Sequence, residues 1–180
     1  MPRRRPLWRR AKQAQWRKAD SLVIHHYLIA LGSNQRHPRF GSPTRVLQAA
    51  LVELDPLAAA SIIASRPVGP SQRTYANSAA IIASRLPPDA MLADLKAIEH
   101  KFGRRPRGQR WQRRTLDLDI ILWSCGIWAS PDLGIPHPHF RTRAFVLAPA
   151  RTIAGDWHDP VSGLAVRHLW ARLVKSKRKR

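Results

Sequence analysis

Two aspartates separated by one residue, with a run of arginines before them, form the part of the sequence best suited to chemistry. In the segment 110–121 (RWQRRTLDLDII), Asp117 and Asp119 alternate with leucines. In a strand, this alternation puts both carboxylates on one face, about 7 Å apart. Such a pair repels unless a cation neutralises it, and hard carboxylate oxygens suit magnesium. The upstream arginines could hold phosphate oxygens. The pattern indicates a metal–nucleotide site, although a solvated strand face fits the spacing about equally well.

Turn signals and hydrophobic spacing predict the elements that would position these side chains. Strands are predicted at 22–31, 58–65, 75–84 and 116–123. Helices are predicted at 43–54, after Ser42 as N-cap, at 88–102, at 144–153 with an interruption at Pro149, and at 164–174. The segment 131–138 is predicted to be a loop. The order β-α-β-β-α-β predicts an α+β fold, a ferredoxin-like split βαβ sandwich with helices on the faces of an antiparallel sheet.

The positive charge of the chain is concentrated in three segments. The formal net charge is +21, which by itself suggests a nucleic-acid-binding protein. Residues 1–26 carry eight basic side chains and one acid, residues 171–180 carry six and none, and residues 101–114 carry seven and none. The remainder is about neutral. The sequence therefore predicts a disordered basic extension at 1–22, one domain at 23–174 that contains a basic loop, and a basic tail at 175–180.

Composition and motif content exclude several other classes of protein. The single Cys125 forms neither an internal disulfide nor a cysteine zinc site. The longest apolar run is far too short to span a bilayer, and the N-terminus lacks the apolar centre of a secretory signal. A cytoplasmic location without a membrane partner is predicted, with a transit peptide over residues 1–20 as the minor alternative. No glycine-rich phosphate loop occurs, and Gly32-Ser33-Asn34 is predicted to be a tight turn after the first strand.

Several motifs, in order and with their spacing kept, resemble the 6-hydroxymethyl-7,8-dihydropterin pyrophosphokinase family. The segment 110–121 resembles the signature of that family. Five further segments resemble family motifs: 31–34 (LGSN), 66–70 (RPVGP), 75–79 (YANSA), 98–99 with 102–104 (IE, FGR), and 135–138 with 143–145 (IPHP, RAF). The similarity covers roughly residues 27–170, so that only the tails lie outside it.

The resemblance implies transfer of pyrophosphate from ATP to the hydroxymethyl group of a dihydropterin, with release of AMP, in tetrahydrofolate biosynthesis. Asp117 and Asp119 match the positions that hold two Mg²⁺ ions, and with Arg104 and Arg114 they match the catalytic positions. The positions that match ATP contacts are Glu99, Arg110, Ile120, His137 and Arg143. In this interpretation Ile120 meets the adenine, while Arg110 belongs to a loop that closes over the site and excludes water.

The same resemblance implies where the pterin binds. Tyr75 and Phe145 match two aromatic positions that sandwich the pterin ring. Asn77 can both donate and accept a hydrogen bond, which suits the amide-like edge of a pterin. The backbone around Val68 and the loop residue Trp111 match the remaining contacts.

Departures from the family pattern keep other hypotheses open. Gln112-Arg113 replaces a Gly-Pro pair, and Pro106 stands at a position where a basic residue is common. Asp132 occupies another such position, and Gly134 replaces a hydroxyl-bearing residue. These changes predict weaker ATP binding. The alternatives are a basic nucleic-acid-binding protein and a degenerate relative that binds nucleotide or pterin without turnover. The expected partners are ATP and 6-hydroxymethyl-7,8-dihydropterin, with nonspecific nucleic-acid contact by the basic tails, and the chain is expected to be a monomer.

Overall fold

The structure is a computed structural model of the chain and describes residues 23–65, 74–103 and 115–178. Its strands are β1 (His25–Ser33), β2 (Ala58–Ala59), β3 (Ile63–Ser65), β4 (Tyr75–Ser84), β5 (Asp117–Trp123), β6 (Trp128–Ser130) and β7 (Leu133–Ile135). Its helices are α1 (Pro43–Leu54), α2 (Pro88–Lys101), α3 (Ala144–Ala154) and α4 (Val166–Arg178), with a 3₁₀ turn at Phe140–Thr142.

The central strand β1 pairs antiparallel with β4 on one side and with β5 on the other. The described main sheet has the order β2-β4-β1-β5, and β3 also pairs with β4. Because side chains alternate along β1, Tyr27, Ile29 and Leu31 pack against α1 and α2 on one face. Leu28 packs on the opposite face, with residues of α3 and α4. The predicted ferredoxin-like α+β arrangement is confirmed, with helices on both faces of an antiparallel sheet.

Helix α1 begins where its sequence signals predict. Ser42 is its N-cap, and the hydroxyl oxygen accepts a hydrogen bond from the backbone N–H of Arg45 at 3.4 Å. Pro43 occupies the first helical position, where the missing N–H costs nothing. Val46, Leu47 and other residues at helical spacing are buried against the sheet, so the predicted amphipathic helix is confirmed.

The predicted strand at 58–65 is wrong in one respect, because the structure divides it into β2 and β3. Ala59 lies opposite Ala80, whereas Ile63 lies opposite Asn77, so the register on β4 shifts by one residue between the two strands. The Ser78 hydroxyl donates to the Ala60 carbonyl at 2.8 Å and satisfies it in place of a ladder bond. The less exposed positions are 58, 60 and 62 before the shift and 63 and 65 after it, so the alternation changes phase between Ile62 and Ile63, where the extra residue is inserted.

Gly32 and Ser33 belong to β1, so the predicted tight turn at these residues is wrong. Gly32 lies opposite Asn77 on β4 and opposite Asp117 on β5. Ser33 lies opposite Ala76 and is buried. Pairing on both sides holds the chain extended at this point, and these long-range partners override the local turn preference of glycine and serine.

Two predictions at the C-terminal side of the chain are also corrected. The sequence predicts a loop over 131–138, but Leu133–Ile135 forms β7, which pairs with β6 as a hairpin. Helix α3 continues through Pro149 without the predicted interruption. Pro149 has no N–H to donate to the preceding turn, but it is buried together with Val146 and Leu147. Burial of this face against the sheet outweighs the loss of one helical hydrogen bond.

The last helix crosses the predicted domain boundary at residue 174. Helix α4 extends to Arg178, into the segment predicted to be a basic tail. Leu169 is buried and Leu173 is half-buried, which fixes the helix against α3 and the 3₁₀ turn, while Lys175 is exposed. None of the described helices combines the length and the apolar character needed to cross a membrane.

Candidate active site

The two aspartates lie on one face of β5, as the alternation predicts. Asp117 and Asp119 are half-buried, whereas Leu118 and Ile120 between and after them are buried on the opposite face, in the core with α1 and α2. The aspartates lie opposite Gly32 and Ala30 of β1. Gly32 has no side chain and Ala30 has only a methyl group, so no long side chain of β1 rises from the sheet beside the two carboxylates.

Glu99 of α2 holds the strand between these two aspartates. Its side chain is only 2% exposed, and Oε1 accepts a hydrogen bond from the backbone N–H of Leu118 at 2.8 Å. Among the described strands, β5 pairs with β1 alone, so the carboxylate satisfies an N–H on the other edge of β5. The hydrogen bond between Glu99 and Leu118 positions the aspartate pair. A contact between Glu99 and ATP remains a prediction.

We expect Glu99→Leu to destabilise the protein more than Glu99→Gln. The glutamine keeps an oxygen that can accept from Leu118, whereas leucine leaves that buried N–H without its acceptor, which costs about 1–3 kcal/mol. Urea denaturation of both variants measures the difference in the free energy of unfolding. Equal stability of the two variants would show that the bond contributes nothing.

His137 is positioned beside the aspartates by a β-bulge. Ile121 has no partner on β1, because the register shifts between Leu28 and Ile29. The Ile121 carbonyl accepts the backbone N–H of His137 at 3.1 Å. In turn, the Nδ1 atom of His137 accepts the backbone N–H of His139 at 3.1 Å. An accepting Nδ1 places the proton of the neutral imidazole on Nε2, so His137 presents an N–H donor.

The ionisation of His137 links it to Arg143 and Asp117. Burial lowers the pKa of His137 to about 4, and the positive charge of Arg143 lowers it further in the same direction, with His139 adding a smaller effect. A backbone hydrogen bond and the negative charge of Asp117 oppose this shift. The imidazole is therefore neutral at pH 7. These electrostatic effects show that the structure brings His137, Arg143 and Asp117 together.

We expect the imidazole of His137 to titrate with a midpoint near pH 4, well below the ordinary 6.5. Because the folded-state pKa is lower than that of the unfolded chain, the folded protein binds fewer protons between these values. The contribution of His137 to stability is then complete above pH 6.5 and falls as the pH drops toward 4. A pH titration of the Hε1 proton by NMR measures the midpoint, and the spectrum of His137→Gln assigns the resonance. A midpoint between 6 and 7 would contradict the described environment.

The residues predicted to bind the pterin come from two elements that pack on each other, Tyr75 and Asn77 from β4 and Phe145 from α3. Asn77 is 4% exposed, and its Nδ2 donates to the Ser65 hydroxyl at 2.7 Å. Tyr75 is half-buried at the start of β4. Phe145 is half-buried in the first turn of α3. Sequence reasoning missed Ser65, although its place directly before the RPVGP motif was an available signal.

A cavity of about 390 Å³ lies beside Asp119. Asp119, Ile120 and His137 line it together with Leu92 of α2 and residues of the β6–β7 hairpin. The hairpin is tied to the start of α2 by the Ser130 hydroxyl, which donates to Asp89 Oδ1 at 2.7 Å. The cavity is therefore lined both by Ile120, the predicted adenine contact, and by Asp119 of the aspartate pair. Asp132 and Gly134, where the sequence departs from the family pattern, also line this cavity.

Five predicted site residues lie outside the described part of the chain. They are Val68, Arg104, Arg110, Trp111 and Arg114. The same holds for Pro106, Gln112 and Arg113. Their roles remain predictions from the sequence.

Comparison with known proteins gives the same family for most of the chain. Residues 28–155 match a family model described as 7,8-dihydro-6-hydroxymethylpterin-pyrophosphokinase (HPPK). The 2-amino-4-hydroxy-6-hydroxymethyldihydropteridine pyrophosphokinase of Synechocystis sp. is 38% identical over 151 residues, which cover 81% of this chain and 74% of that protein. The Pseudomonas aeruginosa protein of the same name is 38% identical over 145 residues, which cover 77% of this chain and 86% of that protein.

A solved structure gives the same fold at low identity. The crystal structure of Plasmodium falciparum HPPK-DHPS with SDX-DHP matches with a TM-score of 0.68 at 12% identity and covers 87% of this chain. The match covers 46% of the Plasmodium chain, so the present chain spans less than half of that protein. At this identity the likeness shows the fold alone.

Proposed function

This chain belongs to the 7,8-dihydro-6-hydroxymethylpterin-pyrophosphokinase family, and on that premise we propose that it transfers pyrophosphate from ATP to 6-hydroxymethyl-7,8-dihydropterin in folate biosynthesis, with release of AMP. One observation carries the proposal for the site: at one end of the sheet, the aspartate pair of β5 lies on the same face as Asn77 of β4. The comparisons give no support to the nucleic-acid-binding alternative.

We propose that Asp117 and Asp119 hold two magnesium ions together with the triphosphate. Among the described residues, no group of three or more His, Cys, Asp and Glu side chains is arranged to hold a metal ion. Two carboxylates on one strand face nevertheless fit magnesium, which is commonly bound by one or two carboxylates, with phosphate oxygens and water as the other ligands. When bound, the metal would offset the charge of the transferred phosphates.

The remaining described residues suit the binding and orientation of ATP. The Nε2–H of neutral His137 can donate to a phosphate oxygen, and the Arg143 guanidinium adds a positive charge near it. Ile120 lines the cavity in which we place the adenine. We propose that Arg104, Arg110 and Arg114 add further phosphate contacts, as the sequence resemblance implies.

The pterin is proposed to bind at Asn77, between the rings of Tyr75 and Phe145. The Ser65 hydroxyl takes one donor of the Asn77 amide and thereby fixes its orientation. The amide oxygen lies toward Gly32 and the site. An oriented amide and two aromatic faces match the hydrogen-bonding edge and the flat surface of a pterin. The backbone at Val68 and the ring of Trp111 are proposed as further contacts.

We propose that the catalytic domain begins near residue 23 and includes all of α4. The helix crosses residue 174 without a break, so a shortened chain for experiments needs residues 23–178. The extension 1–22 and the last basic residues are then accessories that adhere to polyanions. If the shortened chain keeps AMP formation but loses binding to DNA, this division is supported.

The test of the proposed function is acceptor-dependent AMP formation by the purified chain. We expect AMP only when ATP, magnesium and 6-hydroxymethyl-7,8-dihydropterin are all present. AMP formation without the pterin would indicate an ATP hydrolase instead. If the protein binds the pterin and an ATP analogue but forms no AMP, it is a degenerate relative without turnover.

A further inference from the structure

We propose that Gly32 is the point on the sheet over which the two substrates meet, and that the missing side chain sets how closely they approach. The inference rests on the proposed function, because it takes Asn77 as a pterin contact and Asp117 as a phosphate–metal contact. It assigns a spacing role to a residue that contributes no functional group.

The strand register places Gly32 between these two contacts. Gly32 is the direct partner of Asn77 on β4 and of Asp117 on β5. Directly opposed residues of antiparallel strands point to the same face of a sheet. Asn77 and Asp117 are therefore separated by two strand spacings, roughly 10 Å. Gly32 is the residue midway between them.

The backbone conformation at position 32 does not require a glycine. The described glycines with positive φ are Gly41, Gly103, Gly126 and Gly163, so Gly32 has a backbone that any residue can adopt. Glycine within a strand also costs stability relative to alanine, by roughly 0.5–1 kcal/mol.

Packing gives no reason either. A Cβ atom at Gly32 would lie 3.7 Å from Asn77 Oδ1 and 3.9 Å from the Cβ of Asp117. Both distances are ordinary van der Waals contacts, so the folded protein accommodates alanine. The methyl group would occupy the space between the amide and the carboxylate. We infer that this space is kept open for the reacting groups.

The chemistry requires such a space. The hydroxyl oxygen of the pterin forms a bond to the β-phosphorus of ATP, while the bond from that phosphorus to the oxygen bridging to the α-phosphorus breaks. AMP leaves with the bridging oxygen, and the hydroxyl proton is released to water. Reacting atoms must approach to about 3–3.5 Å, and a displacement of 1 Å can cost about 10²-fold in rate. A methyl group between two bound substrates is large enough to cause that displacement.

The experiment compares Gly32→Ala with Ser33→Ala in the full chain. Ser33 is the next residue of β1 and points to the opposite face. Among the residues that the structure describes, none forms a hydrogen bond with its buried hydroxyl, so its removal is expected to leave kcat unchanged. The measurements are the melting temperature, kcat, and the binding of 6-hydroxymethylpterin and of α,β-methylene-ATP with magnesium, each alone and then together.

For Gly32→Ala we expect a melting temperature close to that of wild type and binding of each ligand alone within about threefold. We expect kcat to fall by about 10²-fold and binding of the second ligand to the binary complex to weaken at least tenfold. A kcat equal to that of Ser33→Ala would overturn the inference. Loss of binding of one ligand alone would also overturn it, because Gly32 would then belong to a single subsite. An inert wild-type protein would refute the proposed function itself.

Discussion

Asp117→Asn and Asp119→Asn are each expected to lower kcat by about 10³-fold while leaving the protein folded. Asparagine has nearly the same size, and both side chains are half-buried near the start of β5, so packing changes little. The loss is electrostatic. A bound metal supplies several kcal/mol of charge stabilisation in such reactions, and 1.36 kcal/mol corresponds to a factor of ten in rate. Removing one negative ligand therefore costs on the order of 10³-fold in the AMP assay.

The matched control is Asp132→Asn, another exchange of an acid for its amide at the same cavity. Asp132 is exposed in the β6–β7 turn and lines the cavity beside Asp119. Because a negative charge here opposes binding of a triphosphate, this variant is expected to keep kcat and to lower KM for ATP. If the variants of Asp117 and Asp119 behave like that of Asp132, the aspartates form an ordinary solvated strand face.

The alternation of residues 116–120 predicted the aspartate pair correctly, because strand geometry is local. A period of two fixes which side chains share a face, whatever the rest of the fold does. The same reasoning predicted α1, where Ser42, Pro43 and the helical spacing agree. Where several local signals point to one structure, the prediction and the structure coincide.

Features that depend on pairing could not be predicted from the sequence. Gly32 has the local character of a turn, yet pairing on both sides keeps it in the strand. The hairpin of β6 and β7 has strands of three residues, too short to show a period. The hydrogen bond between Ser65 and Asn77 joins residues twelve positions apart and depends on the register of β3. In each case the partner residue decides the structure.

A partly buried ion pair next to the site could not be predicted from the sequence either, because its two members are 18 positions apart in the chain. Asp159 is fully buried, and its carboxylate accepts two hydrogen bonds from Arg141, from Nε at 2.7 Å and from a terminal nitrogen at 2.6 Å. Arg141 belongs to the 3₁₀ turn that leads into Arg143, whereas Asp159 precedes α4. The ion pair therefore fixes the turn that leads into α3. Arg143, the proposed phosphate contact, lies between this turn and the helix.

Asp159→Ala is expected to destabilise the protein by about 3–5 kcal/mol, since it leaves the half-buried charge of Arg141 without its partner. For a chain of this size, each kcal/mol lowers the melting temperature by about 2–4 °C. Asp156→Ala is the control, because Asp156 pairs with Arg167 at an exposed position and exposed pairs contribute about 0–1 kcal/mol. Differential scanning calorimetry measures both variants. Equal losses would show that burial adds nothing to the Arg141 pair.

The acid dependence of stability gives a second measure of the same carboxylate. Burial alone would raise the pKa of Asp159, but hydrogen bonds from Arg141, Ser162 and Val161 outweigh burial and hold the pKa at about 2. Because the folded-state pKa lies below the ordinary 3.8, this stabilisation is present above that value and is lost as the pH falls toward 2. We therefore expect the difference in stability between wild type and Asp159→Asn to shrink over this interval. A difference that stays constant down to pH 2 would mean that the charge of Asp159 does not carry the stabilisation.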